Sequence, residues 1–302
     1  MTCPSLLKVL VACCFVTKPA PAADETFDSN GVKIRYVTAG KGEPVVLIHG
    51  WMSDSSMWGR DWAGNTRLDT KGSEGFQLIA LDCRGHGKSD KPHEQKQYGP
   101  EMAADVVRLL DHLKIEKAHL VGYSSGSYIA GKVAATHPDR VLSLVYGGQA
   151  PIIVGEKSTD GSNEVEVFAK AVDEGKDLGC YIKAVTPGDK NKFTDDQAKA
   201  LAGFMFNGKD VKALAAAGRS FKDLGVTGEQ LSKCKAPILF IHGGNESAYV
   251  KAHVTYVRKL LGRGEFKIVE VGDHVGTLAK PEFASAIRTF LRAAQTKSDQ
   301  KP

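Results

Sequence analysis

The sequence has no long hydrophobic run, no block of one charge, no internal repeat and no cysteine pair at metal-site spacing, and each absence removes a class of function. Its apolar stretch Val9–Val16 is far shorter than the roughly 20 residues that span a bilayer, so no membrane span is expected. The formal charge is only +5, and no basic stripe carries interleaved aromatics, which argues against nucleic acid as a partner. Nothing in the cysteine or histidine spacing suggests a metal site, and no redox cofactor is indicated. Cys83, Cys180 and Cys234 lie beyond the first segment, and an odd set of three allows at most one internal disulfide. Cys180 with Cys234 would be the pair; three free thiols fit the spacing equally well.

What is present is the composition of a globular protein, 42% hydrophobic and 25% charged, in a chain long enough for one large α/β domain or a domain with an insertion. The first residues stand apart. Lys8 precedes the short apolar run, and Pro19–Ala23 follows with small residues at Ala-x-Ala spacing. That resembles a secretory signal peptide over residues 1–22, cut near Ala22, and implies export to a periplasm or the medium. Leu10-Val11-Ala12-Cys13 also resembles a lipoprotein cleavage box, so a lipid-anchored form is a lesser alternative, and a plain leader is another.

From residue 30 onward, apolar runs alternate with helical periodicity. Val32–Val37 alternates as a half-exposed strand, while Pro44–Ile48, Phe76–Leu81, Ala118–Val121, Val141–Tyr146, Pro237–Ile241 and Phe266–Val271 read as further strands. Glu101–Leu113, the stretch after Ser124, Val250–Leu261 and Glu282–Ala294 read as helices. Strands alternating with helices give a mostly parallel central sheet with helices on both faces. The rhythm breaks over residues 150–235, where helical pieces such as Asp195–Phe206 and Lys209–Leu224 predict a helical cap inserted between core segments 23–149 and 236–302. A place over the carboxyl edge of the sheet fits, because ligands bind there in open α/β folds.

Gly122-Tyr123-Ser124-Ser125-Gly126 carries the most chemical information. It stands between an apolar strand and a helix, where a Gly-x-Ser-x-Gly forces the serine into a strained turn above the sheet. A plain Gly/Ser turn is the bland alternative. A serine hydroxyl needs a base within hydrogen-bond reach and a group to orient that base. His274, in the glycine-bounded loop after the last strand, suits the base. Glu246 is the acid close behind Pro237–Ile241 and suits the orienting role, with Asn245 or a water as the alternative.

The order Ser, acid, His, together with His49-Gly50-Trp51, the Asp82–Ser89 turn, Gly122–Gly126 and Asp273-His274, resembles the α/β-hydrolase fold family across about residues 30–295. The resemblance implies an oxyanion hole from the backbone N–H groups of Trp51 and Ser125. Arg84 and His86 read as scaffold, and glutamate at 246 departs from the family's usual aspartate. Branches that carry aspartate at the elbow, the haloalkane dehalogenases and epoxide hydrolases, fit poorly with Ser124. The expected activity is serine hydrolysis of an ester or related acyl bond of a small or medium substrate, without cofactor. Carbon–carbon hydrolysis, perhydrolysis and non-catalytic ligand binding remain as alternatives on the same scaffold. His49, Trp51 and Tyr123 are candidate pocket residues beside the motifs. The cap residues Phe168, Tyr181, Phe193, Phe204, Met205, Phe206 and Phe221 are weaker ones, since such residues more often join cap to core.

Overall fold

The computed structural model describes residues 23–59, 75–155, 161–186 and 193–298. The expected leader, residues 1–22, lies outside them. Eight strands form one sheet: β1 (Ala23–Asp28), β2 (Lys33–Gly40), β3 (Gly42–Ile48), β4 (Gly75–Leu81), β5 (Ala118–Tyr123), β6 (Val141–Gly147), β7 (Ile238–Gly243) and β8 (Glu265–Val269). Their spatial order is β1-β2-β4-β3-β5-β6-β7-β8. β2 runs antiparallel to both β1 and β4, and every pairing from β4 to β8 is parallel.

The unbroken apolar runs of the central strands follow from burial on both sides. In β3, Val46 and Ile48 enter one core cluster while Val45 and Leu47 enter the other. The first cluster is closed by α1 (Pro100–His112), α2 (Ser125–Thr136) and α8 (Ala248–Leu261), through residues such as Val106, Leu110, Val133 and Val254. The second is closed by α9 (Pro281–Ser298) through Phe283, Ile287, Phe290 and Leu291. Each such side chain contributes roughly 1.5–3 kcal/mol of burial free energy.

Strand β1 went unread in the sequence because Ala23–Asp28 is mostly polar. It pairs with β2 through Asn30-Gly31, both at positive φ (58° and 81°), the backbone of a tight hairpin turn.

Between β6 and β7 lie α3 (Gly161–Asp173), α4 (Gly179–Val185), α5 (Asp195–Phe206), α6 (Val211–Arg219) and α7 (Gly228–Lys233). Thr194 and Thr227 start α5 and α7 with reciprocal capping boxes to Gln197 and Gln230. Phe168, Tyr181, Ile182, Phe206 and Leu214 form a separate apolar cluster within this segment. Its two connections to the sheet run side by side, with Val154 N–H donating to Val226 O and Val226 N–H donating to Ile152 O, both at 2.9 Å. Cys83, Cys180 and Cys234 are free thiols, so the Cys180–Cys234 pairing is not formed; Cys180 is exposed and Cys234 buried in a different setting. Among the described residues, no helix is long and apolar enough to cross a membrane.

Candidate active site

Strand β5 ends at Tyr123 and helix α2 begins at Ser125, leaving Ser124 at the corner with φ 53° and ψ −122°. Such a conformation costs a non-glycine residue free energy and persists only where packing over-determines it. The two flanking glycines explain how the corner is held. A methyl group at Gly122 would lie 2.3 Å from Gly126 O, and one at Gly126 would lie 2.1 Å from Ile48 O. Only glycine lets α2 approach β5 and β3 this closely. Ser124 N–H donates to Gly147 O at 2.8 Å, which pins the corner to β6.

The loops after β7 and β8 bring the other two groups. Glu246 and His274 are 28 positions apart, and His274 is 150 positions from Ser124. His274 Nε2 lies 3.0 Å from Ser124 Oγ, and His274 Nδ1 lies 3.0 Å from each carboxylate oxygen of Glu246. An ionised carboxylate can only accept, so Nδ1 carries the proton and Nε2 is left to accept from the serine hydroxyl. The Glu246 side chain is 1% exposed, whereas that of His274 is 41% exposed. Glu246 N–H donates to Gly243 O at 3.3 Å, closing the turn that follows β7. Burial acts to lower the His274 pKa, but the hydrogen bond and charge of Glu246, with smaller contributions from Glu164 and Asp273, outweigh it and leave it above its ordinary value.

The segment after β3 passes directly beside the serine. A methyl group on Gly50 would come within 3.1 Å of Ser124 Cβ and 3.7 Å of Oγ. The N–H of Trp51 follows it, and the N–H of Ser125 opens α2, where the first-turn amides lack intrahelical partners and carry the positive end of the helix dipole. Neither amide makes a hydrogen bond within the described residues.

Two of the expected pocket residues, His49 and Tyr123, have other duties. His49 is 1% exposed, its Nδ1 held by Gly50 O at 2.8 Å and its Nε2 accepting from Cys83 N–H at 2.9 Å. Both ring nitrogens are spent on the main chain, so His49 is a neutral strut and not a pocket wall. Tyr123 is 2% exposed; its hydroxyl donates to His274 O at 2.6 Å and its ring lies 5.5 Å from the imidazole. Sequence reading missed this brace because no local pattern announces a contact across 151 positions. Trp51 turns its indole into the insertion, edge-on to Phe168, Tyr181 and Phe221. Of the weaker pocket candidates, Phe168, Tyr181 and Phe206 pack in the insertion's own cluster, Phe221 joins the sheet's core, and Phe204 faces solvent at 83% exposure. Phe193 and Met205 are also exposed.

Beneath the site, Asp82 ties the neighbouring turns together, accepting from Ser55 N–H and Lys88 N–H at 2.8 Å. Arg84 grips Asp105 of α1 with two bonds of 2.7 and 2.6 Å. His86 is buried beside His49, and desolvation pushes its pKa down to about 3. A cleft of about 370 Å³ bordered by His93, Asp173, Lys212 and Arg219 touches none of Ser124, His274 and Glu246. Among the described residues, no group of three or more His, Cys, Asp or Glu could hold a metal.

Residues 43–168 match the family model for the alpha/beta hydrolase fold. The chain is 30% identical to a 2-hydroxy-6-oxononadienedioate/2-hydroxy-6-oxononatrienedioate hydrolase of Paraburkholderia xenovorans, over 71% of this chain and 75% of that protein. The chain belongs to the alpha/beta hydrolase fold family. It is also 28% identical to an epoxide hydrolase of Caballeronia sordidicola, over 59% of this chain and 50% of that one. The chain spans about half the length of several curated relatives it matches. Among solved structures, one from a study of carboxylesterases of Nitrososphaera gargenis superposes with a TM-score of 0.72 at 21% identity, covering 92% of this chain and all of that one. At that identity the likeness speaks for the fold.

Proposed function

We propose that this alpha/beta hydrolase cleaves an ester or related acyl bond of a small or medium substrate through Ser124, His274 and Glu246. The observation that carries the reading is the unbroken relay from Glu246 through His274 Nδ1 and Nε2 to Ser124 Oγ, each link at 3.0 Å. His274 takes the serine proton as Oγ attacks the substrate carbonyl, then returns it to the leaving group. Glu246 keeps the proton on Nδ1 and stabilises the imidazolium that forms. The developing oxyanion sits between the N–H groups of Trp51 and Ser125, each worth about 3–4 kcal/mol in a water-excluded site. Water then hydrolyses the acyl-enzyme by the same proton transfers.

Carbon–carbon hydrolysis is the second reading, favoured by the name of the Paraburkholderia relative, whose substrate is a dioate. The charge near His274 counts against transferring it. Glu246, Glu164 and Asp273 all act on the imidazole, and all three are acidic. An anionic substrate would enter an unfavourable field there, whereas a neutral ester would not. The test is hydrolysis of p-nitrophenyl esters of increasing acyl length, beside Ser124→Ala and beside a dienoate carbon–carbon substrate. Ester turnover lost in the variant supports the proposal; turnover of the dienoate alone would replace it with the second reading.

A further inference from the structure

The donor loop Gly50–Ser53 is a tight turn, closed by Ser53 N–H donating to Gly50 O at 3.2 Å. Its third residue, Met52, has φ 63°, the left-handed region where a side chain is strained and glycine is the usual occupant. Local sequence therefore does not favour the turn that places the Trp51 N–H beside Ser124, and something else must hold it. Two contacts from the insertion do so. Lys209, in the link between α5 and α6, donates from Nζ to Met52 O at 2.5 Å, across 157 positions of sequence. Trp51 Nε1–H donates to Leu214 O of α6 at 2.9 Å, with its indole wedged among Phe168, Tyr181 and Phe221.

The lysine is itself set in place. Gly208, at φ 70°, turns the chain after α5, and Lys209 N–H donates to Phe206 O at 3.0 Å. Next to it, Asp210 caps α6 through Ala213 N–H at 3.0 Å and meets His93 of the sheet domain at 2.9 Å. Burial disfavours the Lys209 ammonium, and the charge of Asp54, beside the donor loop, partly offsets that. The link is thus anchored on both sides of Lys209.

We propose that Lys209 is a positioning residue for the oxyanion hole: by binding the carbonyl of the strained Met52 it fixes the turn that presents the Trp51 N–H to Ser124, so that the insertion's docking and transition-state stabilisation are one event. The proposal rests on the Ser124 reading above. It predicts an effect on the chemical step rather than on substrate capture, because the interaction reaches the reacting atoms only through an amide that binds developing charge.

Lys209→Met, which keeps the stem and removes the ammonium, is measured beside Lys209→Arg and Lys132→Met. Lys132 of α2 also bonds the insertion, at Gly225 O, but touches no part of the donor loop. The expected result is a fall in kcat of about 10-fold or more in Lys209→Met with KM changed less than about 3-fold. Affinity for a tetrahedral boronate should fall in step with kcat, Arg should recover much of the loss, and Lys132→Met should leave kcat unchanged. Hydrogen exchange over residues 49–57 should quicken in Lys209→Met whatever the turnover. Unchanged kcat and exchange in Lys209→Met would overturn the proposal, as would an equal loss of kcat in Lys132→Met, which would assign the effect to docking in general. A wild-type protein inert to every acyl substrate would overturn the Ser124 reading instead, and exchange would then decide whether Lys209 holds the turn.

Discussion

Replacing Glu246 with glutamine removes one charge from the relay and little else. Glutamine has nearly the same shape, and its carbonyl oxygen can still accept from His274 Nδ1. What disappears is the negative charge facing the imidazolium of the transition state. With His274 Nδ1 3.0 Å from both carboxylate oxygens, the charge centres stand roughly 4 Å apart, worth about 4 kcal/mol at an effective dielectric near 20. The imidazole edge is open to water, its side chain 41% exposed, so screening halves that to about 2 kcal/mol at the lower end. The expected loss in kcat/KM therefore runs from about 30-fold to about 1,000-fold. The pH profile carries the sharper test. His274 must be neutral to act as base, and its pKa is raised chiefly because the hydrogen bond and charge of Glu246 overcome burial. In wild type the acid limb of kcat/KM should thus lie above the ordinary histidine value of about 6.5. In Glu246→Gln burial is left to dominate, and the limb should move to lower pH even as the plateau drops. The variant should accordingly be least impaired in acid and most impaired above neutrality. An acid limb that stays in place, with a plateau within about 3-fold of wild type, would refute the assignment of Glu246 as the group that orients the base.

Gly126→Ala forces a methyl to within 2.1 Å of the Ile48 carbonyl oxygen, in backbone that cannot yield cheaply, so a urea melt should show about 2–3 kcal/mol less stability and ester turnover should collapse. Asp105→Asn leaves the buried Arg84 guanidinium without its paired carboxylate and should cost about 3–5 kcal/mol by the same measurement, with little change in the pH limb. Tyr123→Phe removes the hydroxyl that braces His274 O at 2.6 Å; stability should fall by about 1 kcal/mol, and steady-state kinetics should show a several-fold loss in kcat with KM little altered.

The parallel sheet was readable because β3, β5 and β7 are buried on both faces and so appear as solid apolar runs. Ser124 and His274 were readable as candidates for a different reason. Strain at a strand-to-helix corner demands glycines at fixed offsets, and a histidine in a glycine-bounded loop at a strand's carboxyl end has few other uses. Glu246 is the one acid in the short loop that follows β7. Three things were not readable. Strand β1 is polar, so the Asn30-Gly31 turn has no apolar run on its N-terminal side to mark it as a strand connection. His49 looked like a pocket residue because it adjoins a motif, yet both its nitrogens are engaged by main-chain groups, one of them 34 positions away. The braces on the site, Tyr123 to His274 O and Lys209 to Met52 O, join residues more than 150 positions apart through carbonyls that leave no mark in a side-chain pattern. Short-range strain is written in the sequence; long-range support of a loop is not.

In the proposed mechanism Ser124 is a nucleophile made reactive by His274. That role is tested most directly by treating the protein with a fluorophosphonate and measuring intact mass, followed by peptide mapping. One adduct per chain is expected, located on Ser124, formed at a rate that falls steeply below the His274 pKa and is abolished in Ser124→Ala and nearly so in His274→Ala. A protein that remains unmodified, or one labelled equally well after Ser124→Ala, would contradict that mechanism.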